Sequence, residues 1–432
     1  MRERLFSVVK ENSDIPFVEG YSVRAADRMP QWALQFKRRG MEEYKKSFAA
    51  AAADVNPKIL KFISENRFAR PHPPESLPDL ESLLAMPMFD VRAHAIVFVD
   101  GIYFGALSTE EDLPFSVYND SLLNTLVDNP DELEGKLSEG DGLFRKLNNA
   151  YLTDGVVLKI ADGEKLDLPI HVIHVATSVS PSAFFNPRGY IEIGRGASAH
   201  LIGSHVYFSG VKCFNNRVLD VRLMEGASLK VDSFYSVSAE SCFVENISVE
   251  VGNRADFSYH SYVEKAGLID WKLDVSLGEK ASAIADIAAD ASGGADVSYE
   301  IGMSHAGYES SSSARLAAAA SDGASVRFAT PLSSSRGISG ARAEQNSRII
   351  LASPDASGRI EPRQAVASEG VKATHGAAVG GFDREALFFL ESRGLAADEA
   401  RALLKKSMFM SAFSDIGDGV LASAYEKLVW KE

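Results

Sequence analysis

A chain of 432 residues that is 46% hydrophobic and 24% charged has the composition of a folded globular protein with room for two or three domains, which excludes general disorder. A formal net charge of −14 and a pI near 5.2 exclude nucleic-acid binding through bulk charge, because no overall excess of cations is present to displace phosphate counterions. Two cysteines, Cys213 and Cys242, exclude a disulfide framework, no apolar run reaches membrane-spanning length, and the opening residues do not read as a secretory leader, so the expectation is a cytoplasmic protein with neither a nucleic-acid nor a membrane partner.

Residues 1–150 read as a mixed, largely helical N-terminal domain. Met29 to Ala53 spaces Trp32, Leu34, Phe36, Met41, Tyr44 and Phe48 among Lys, Arg and Glu, the pattern of an amphipathic helix burying an aromatic face. Pro71-His72-Pro73-Pro74 with Pro78 reads as a linker, because proline removes donors and pushes its predecessor toward extended geometry. Ala95 to Phe104 reads as two strands around the Asp100-Gly101 turn. Ser121 to Leu147 returns to helix, with Asn129-Pro130-Asp131 as a start signal.

From residue 151 short β-branched runs alternate with turns, and a degenerate repeat appears. An apolar residue, a glycine and a small residue recur in Ile193-Gly194-Arg195-Gly196-Ala197, Met224-Glu225-Gly226-Ala227, Val251-Gly252-Asn253-Arg254-Ala255 and Leu277-Gly278-Glu279-Lys280-Ala281, about 20–30 residues apart, the period of a solenoid. Residues 151–380 are therefore expected to form a parallel β-helix core, the chain as a whole being mainly β. The Ala/Ser-rich stretch 281–347 belongs to it, since Val297 to Ile301 and Ala324 to Phe328 alternate at strand period and Gly293-Gly294 would interrupt a helix. Residues 381–432 switch to helical spacing through Leu387, Phe388, Phe389, Leu390, Leu403, Leu404, Met408, Phe409 and Phe413.

Candidate chemistry is sparse. His171 and His174 lie three apart in an extended run, and His200 and His205 five apart, so parity places each pair on opposite faces of a strand and argues against a shared metal. Cys213 and Cys242 stand about one coil apart; they are either a soft ligand pair or, the weightier reading, two small buried hydrophobes. No CxxC pair, P-loop or nucleophile elbow is present. Asp286, Asp290, Asp296 and Arg315 suit a carbohydrate-active β-helix enzyme, although charges on a solenoid's outer face are usually a solvated face. A lone histidine, His375, sits at the seam between the strand-like region and the helical tail, within Lys372-Ala373-Thr374-His375-Gly376-Ala377-Ala378-Val379-Gly380.

Several segments in order carry a resemblance: Gly155-Val156-Val157-Leu158-Lys159-Ile160 with Pro169-Ile170-His171, then Asn186-Pro187-Arg188-Gly189-Tyr190-Ile191, then His200-Leu201-Ile202-Gly203-Ser204. Ile349-Ile350-Leu351-Ala352-Ser353, Glu361-Pro362, the His375-Gly376 seam, Glu385 to Leu390 and Ser392-Arg393-Gly394-Leu395 complete it. Over about residues 90–412 the chain resembles the SufB/SufD family of iron–sulfur cluster assembly scaffolds, and SufD more than SufB. The resemblance implies a right-handed parallel β-helix with helical N-terminal and C-terminal regions and a non-catalytic scaffold role. Its implied partners are a SufB-like scaffold, paired through the β-helix, and a SufC-like ATPase held by the C-terminal helices, with a homodimer when the chain is alone.

No permanently bound cofactor is implied, only a transient cluster at the partner interface. The family uses a histidine there in a Lys-Cys-Ser-His-Gly context; carried over, that histidine is His375, as cluster and metal ligand, and Ala373 stands where the cysteine would be. A neutral imidazole does ligate iron in place of thiolate. For the ATPase the expected docking residues are Phe388, Phe389, Leu390, Leu403, Leu404 and Phe409, Met and Phe being adaptable anchors for a groove. A SufB-like cluster-building scaffold is the alternative, and the carbohydrate-active enzyme a more remote one.

Overall fold

The structure, a computed structural model, describes residues 15–18, 21, 27–53, 55–69, 89, 91–109, 113–177, 182–412 and 426–427. The Pro71–Pro78 stretch and Phe413 lie outside the described residues. In chain order come α1 (Gln31–Ala51), α2 (Pro57–Glu65), β1 (His94–Val99), β2 (Ile102–Tyr103), β3 (Val117–Ser121), α3 (Leu122–Asp128) and α4 (Leu143–Tyr151). Then follow β4 (Val156–Ile160), β5 (Ile170–Ala176), β6 (Ala183–Phe185), β7 (Arg188–Ile193), β8 (Ser198–Tyr207), β9 (Cys213–Leu223), β10 (Ser228–Ser236), β11 (Cys242–Val251), β12 (Asp256–Lys265) and β13 (Leu268–Leu277). The rest comprises β14 (Ser282–Ala291), β15 (Asp296–His305), β16 (Ser311–Ala320), β17 (Ser325–Ser334), β18 (Ser339–Leu351), β19 (Ser357–Val366), β20 (Gly370–Gly380), α5 (Arg384–Ser392) and α6 (Ala397–Ala412).

Alternation builds the solenoid. In β13, Ile269, Trp271, Leu273, Val275 and Leu277 are buried, whereas Asp270, Lys272, Asp274 and Ser276 between them are not. Each such strand lies parallel to its equivalents one coil away. The first sheet runs β2-β1-β5-β8-β10-β12-β14-β16-β18-β20, and the second runs β19-β17-β15-β13-β11-β9-β7-β4-β3, with β6 beside β9. Among the described residues, only the β1–β2 and β3–β4 pairings are antiparallel. Both β1 and β3, which precede residue 151, hydrogen-bond into these sheets. The Asp100-Gly101 turn has both residues at positive φ (50° and 76°), as a two-residue hairpin requires.

The Ala-rich stretch is strand because of what faces it. Trp271, Tyr299 and Phe328 stack up the inner wall of the second sheet, while Ala283, Ala285, Ala289, Ala314 and Ala318 line the first, so large residues on one wall meet small ones on the other. Coil corners need a left-handed residue just before a buried alanine: Gly226 (φ +68°) fills that position in one coil, and Arg254 (+57°) and Lys280 (+56°) fill it in the next two.

Helices cover the two outer faces at different places. Tyr44, Phe48, Ile59, Ile63, Phe144 and Leu147 from α1, α2 and α4 bury Phe184, Phe214, Cys242 and Val244 on the outside of the second sheet. Gly40 lets α1 cross α4 closely, since a Cβ there would come within 2.7 Å of the Ala150 nitrogen. On the first sheet, Phe409 of α6 packs with Phe234, Tyr262, Ala288, Ala317 and Ala319. No described helix is long and apolar enough to cross a membrane.

Candidate functional site at the open end of the solenoid

Nothing among the described residues stacks beyond β20 in the first sheet or β19 in the second. His375 is placed by register: Tyr259, Ala285, Ala314, Gln345 and His375 form one column up the first sheet, each beside the next. The first four are buried inner-wall residues, so His375 continues the inner column at its last rung. It is exposed, with no described coil beyond it.

From the opposite wall, Gln364 of β19 donates its Nε2 to His375 Nδ1 at 3.2 Å. The same nitrogen reaches Gln345 Oε1 at 3.4 Å, and Gln345 Nε2 donates to the Thr330 carbonyl at 2.8 Å. Ala373 packs half-buried against the inner core, and Val366 and Val379 leave 38% and 42% of their surface exposed, so the end of the solenoid is an apolar rim around one imidazole. Among the described residues no group of three or more His, Cys, Asp or Glu side chains is arranged to hold a metal.

His171, His174, His200, His205 and His260 have structural occupations. His171 faces outward and shares a 2.7 Å hydrogen bond with Ser204, its Nε2 to Oγ, and burial pushes its pKa down to about 3. His174 faces inward, stacked between Phe98 (5.0 Å) and His205 (4.9 Å), and His205 stacks in turn on Tyr235 (4.7 Å). Burial, aided by the Arg217 guanidinium, holds both His174 and His205 well below the ordinary imidazole value. Arg217 pairs with Glu245 inside the solenoid, and Glu245 accepts from Tyr235 Oη at 2.7 Å. His200 Nε2 and His260 Nδ1 flank Asp232 on the outer face at 2.5 and 3.1 Å. The parity argument against shared metal pairs thus agrees with the geometry; the inner-wall stack of His174 on His205 depends on coil length and escapes that argument.

Cys242 stands beside Phe214, one residue out of step with Cys213, so the two thiols face opposite sides of the second sheet. Both are free and buried, and burial pushes the Cys213 pKa up to about 12. The acidic residues of the carbohydrate-active alternative are engaged within the chain. Asp286 is fully buried and held bidentately by Arg315 at 2.7 and 2.6 Å, Asp290 pairs with Lys405 at 2.7 Å, and Asp296 with Lys58 and Arg327, both at 2.6 Å.

The helical pair beside the open end presents two faces. α5 is capped by Asp383, whose carboxylate accepts from the Glu385 and Ala386 nitrogens at 2.9 and 3.2 Å. Phe388 and Phe389 on α5 are 73% and 56% exposed, with the Arg393 guanidinium 5.2 Å over the Phe389 ring. Leu390, Leu403 and Leu404 are half-buried, and Leu404 lines a cleft of about 560 Å³ between these helices and β16 and β18. Phe409, grouped with them by helical spacing, faces the other way: it is 1% exposed and packs 6.0 Å from the Tyr262 ring, so it anchors α6 to the solenoid.

One motif of the resemblance turns out to be a fastener that sequence reasoning did not assign. Arg188 is fully buried, donates to Asn149 Oδ1 and the Ser138 carbonyl at 2.7 Å each, and pairs with Asp220. Arg145 of α4 holds the other Asp220 oxygen at 2.8 Å. Burial alone would raise the Asp220 pKa, but the two guanidiniums pull it below the usual carboxylate value. The motif ties the N-terminal helices to the solenoid.

The fold places the chain among parallel β-solenoid proteins with helical flanks. Residues 174–408, more than half of the chain, match the SufBD core domain of the SUF system for iron–sulfur cluster assembly, and the chain belongs to that family. It is 24% identical over 325 residues to an iron–sulfur cluster assembly SufBD family protein of Synechocystis sp., covering 72% of this chain and 71% of the relative. To Protein ABCI7, chloroplastic, of Arabidopsis thaliana it is 23% identical over 332 residues, covering 72% and 68%.

Proposed function

We propose that this chain is a SufD-like, non-catalytic scaffold subunit that pairs with a SufB-like chain through the open end of its solenoid and holds a SufC-like ATPase on its C-terminal helices. The observation that carries this reading is His375 on the last inner rung, exposed among apolar rim residues where both sheets end. A strand edge of this kind offers backbone donors and acceptors to a second chain. His375 supplies one nitrogen toward iron of the nascent cluster, which is cargo passing through the interface, and the partner supplies the remaining ligands. Ala373 contributes no thiol, so this chain's share of the ligand set rests on the imidazole. Without a partner the same edges pair two copies of the chain. The exposed Phe388 and Phe389 are the surface offered to the ATPase, with Leu390, Leu403 and Leu404 supporting them.

Co-expression with a SufB-like and a SufC-like protein, followed by native mass measurement, tests the reading. The expected product contains all three chains. Phe388→Ser with Phe389→Ser should release the ATPase and keep the scaffold pair; His375→Ala should keep all three chains and lose cluster assembly. Recovery of this chain alone, or full assembly activity in the His375 variant, overturns the corresponding part.

A further inference from the structure

The amide chain behind His375 has a chemical direction. The Thr330 carbonyl is an acceptor only, so Gln345 must point its NH2 toward it and its Oε1 toward Gln364. Gln364 then has to present its own NH2 group, one hydrogen toward Gln345 Oε1 and the other toward His375 Nδ1. A neutral imidazole whose Nδ1 accepts a hydrogen bond carries its proton on Nε2. The orientation is thus fixed from the backbone of β17 on one wall, through β18 and β19, to the imidazole on β20.

We propose that Gln345 and Gln364 are positioning residues that lock His375 in the Nε2–H tautomer in the unassembled chain, leaving no free ring nitrogen for a metal until the lock is released. The proposal rests on the ligand role given to His375 above. In the locked state the Nδ1 lone pair is taken by Gln364 and Nε2 carries the proton, so the ring presents an N–H donor at the open end. An anionic acceptor such as a partner's thiolate, sulfide or carboxylate suits that donor.

Iron needs a lone pair. To free it on Nε2, the proton moves to Nδ1, and Gln364 must either turn its carboxamide so that Oε1 accepts it or be withdrawn from the ring. That turn would set Gln364 Oε1 against Gln345 Oε1 unless Gln345 also turns, which would break its bond to the Thr330 carbonyl. Gln345 is 4% exposed and resists the change, whereas Gln364 lies on the exposed last strand where a docking chain would reach it. Displacement of Gln364 by the partner therefore couples docking to ligand competence, and it keeps the lone chain from collecting metal at this position.

The full-length chain labelled with ¹⁵N-histidine reports the tautomer through two-bond and three-bond ¹H–¹⁵N correlations, with the His375 signals identified by their loss in His375→Ala. The expected wild-type state is Nε2–H. Gln364→Glu, an acceptor only, should switch the ring to Nδ1–H, and Gln364→Leu or Gln345→Leu should leave a mixture of the two. An Nδ1–H wild-type ring, or a tautomer that does not respond to any of the three substitutions, overturns the lock. The two Gln364 variants keep the solenoid testable, because Gln364 and His375 are both exposed, and they decide the outcome if the buried Gln345→Leu variant fails to fold. The result stands apart from the ligand reading: normal cluster assembly by His375→Ala would remove the ligand role while leaving the tautomer as measured.

Discussion

His174 and His205 show how position decides what an imidazole does. Both are buried in the inner stack, and His174 Nε2 and His205 Nδ1 find no hydrogen-bond partner among the described residues. Together with His171 they are held neutral: each binds its proton less readily in the fold than in the unfolded chain, where the value is 6.5. Their folded pKa values are depressed, so between 6.5 and about 3 the unfolded chain carries more protons and stability rises with pH. Acidification below 6.5 should weaken the fold by up to about 1.4 kcal/mol per pH unit for each of these histidines. His174→Phe keeps the ring stack and removes one such proton; urea midpoints followed from pH 7.5 to 4 should show a slope shallower by about one proton, and an unchanged slope would count against this account. Strand parity was enough to separate His171 from His174 in the sequence. The stack, the Arg217–Glu245 pair and the Gln345–Gln364 chain were not legible, because each joins residues whose alignment is set by the number of residues per coil and by which wall they occupy.

Among the elements, the strands were legible and the faces of the terminal helices were not. Period-two alternation and the glycine-small corners mark the coils, even though Arg254 and Lys280 replace glycine at left-handed corners. Helical spacing located α5 and α6 but could not tell Phe388 from Phe409, since both fit an apolar stripe and only packing against Tyr262 and its neighbours separates them. α6 rests on the first sheet through Phe409, with Met408 and Met410 beside it and Lys405 paired to Asp290. Phe409→Ala should weaken this docking by about 3–5 kcal/mol. Hydrogen exchange should then show amides of 397–412 losing protection while β8 to β18 keep theirs. Equal loss in the solenoid would mean the helix and the coils unfold as one unit.

For the molecule as a whole, cover is uneven along the solenoid. The second sheet's early coils are roofed by α1, α2 and α4, while β19 and β20 carry exposed residues on both faces. An uncapped end is an aggregation hazard unless another chain covers it. Val366→Lys with Val379→Lys should abolish self-association or partner pairing, measured by sedimentation, with a shift in stability of no more than about 0.5 kcal/mol because both sites are exposed surface. Retained pairing would place the interface on another face.

The seat of α6 also sets a distance. The helix bears on β14 and β16, and within the first sheet β18 lies between β16 and β20. Two interstrand steps of about 4.8 Å separate the β16 end of that seat from the rung that holds His375. The helical pair and the imidazole therefore share one end of the first sheet, so a chain that covers the open end lies within about 10 Å, two strand spacings, of the surface on which α6 rests.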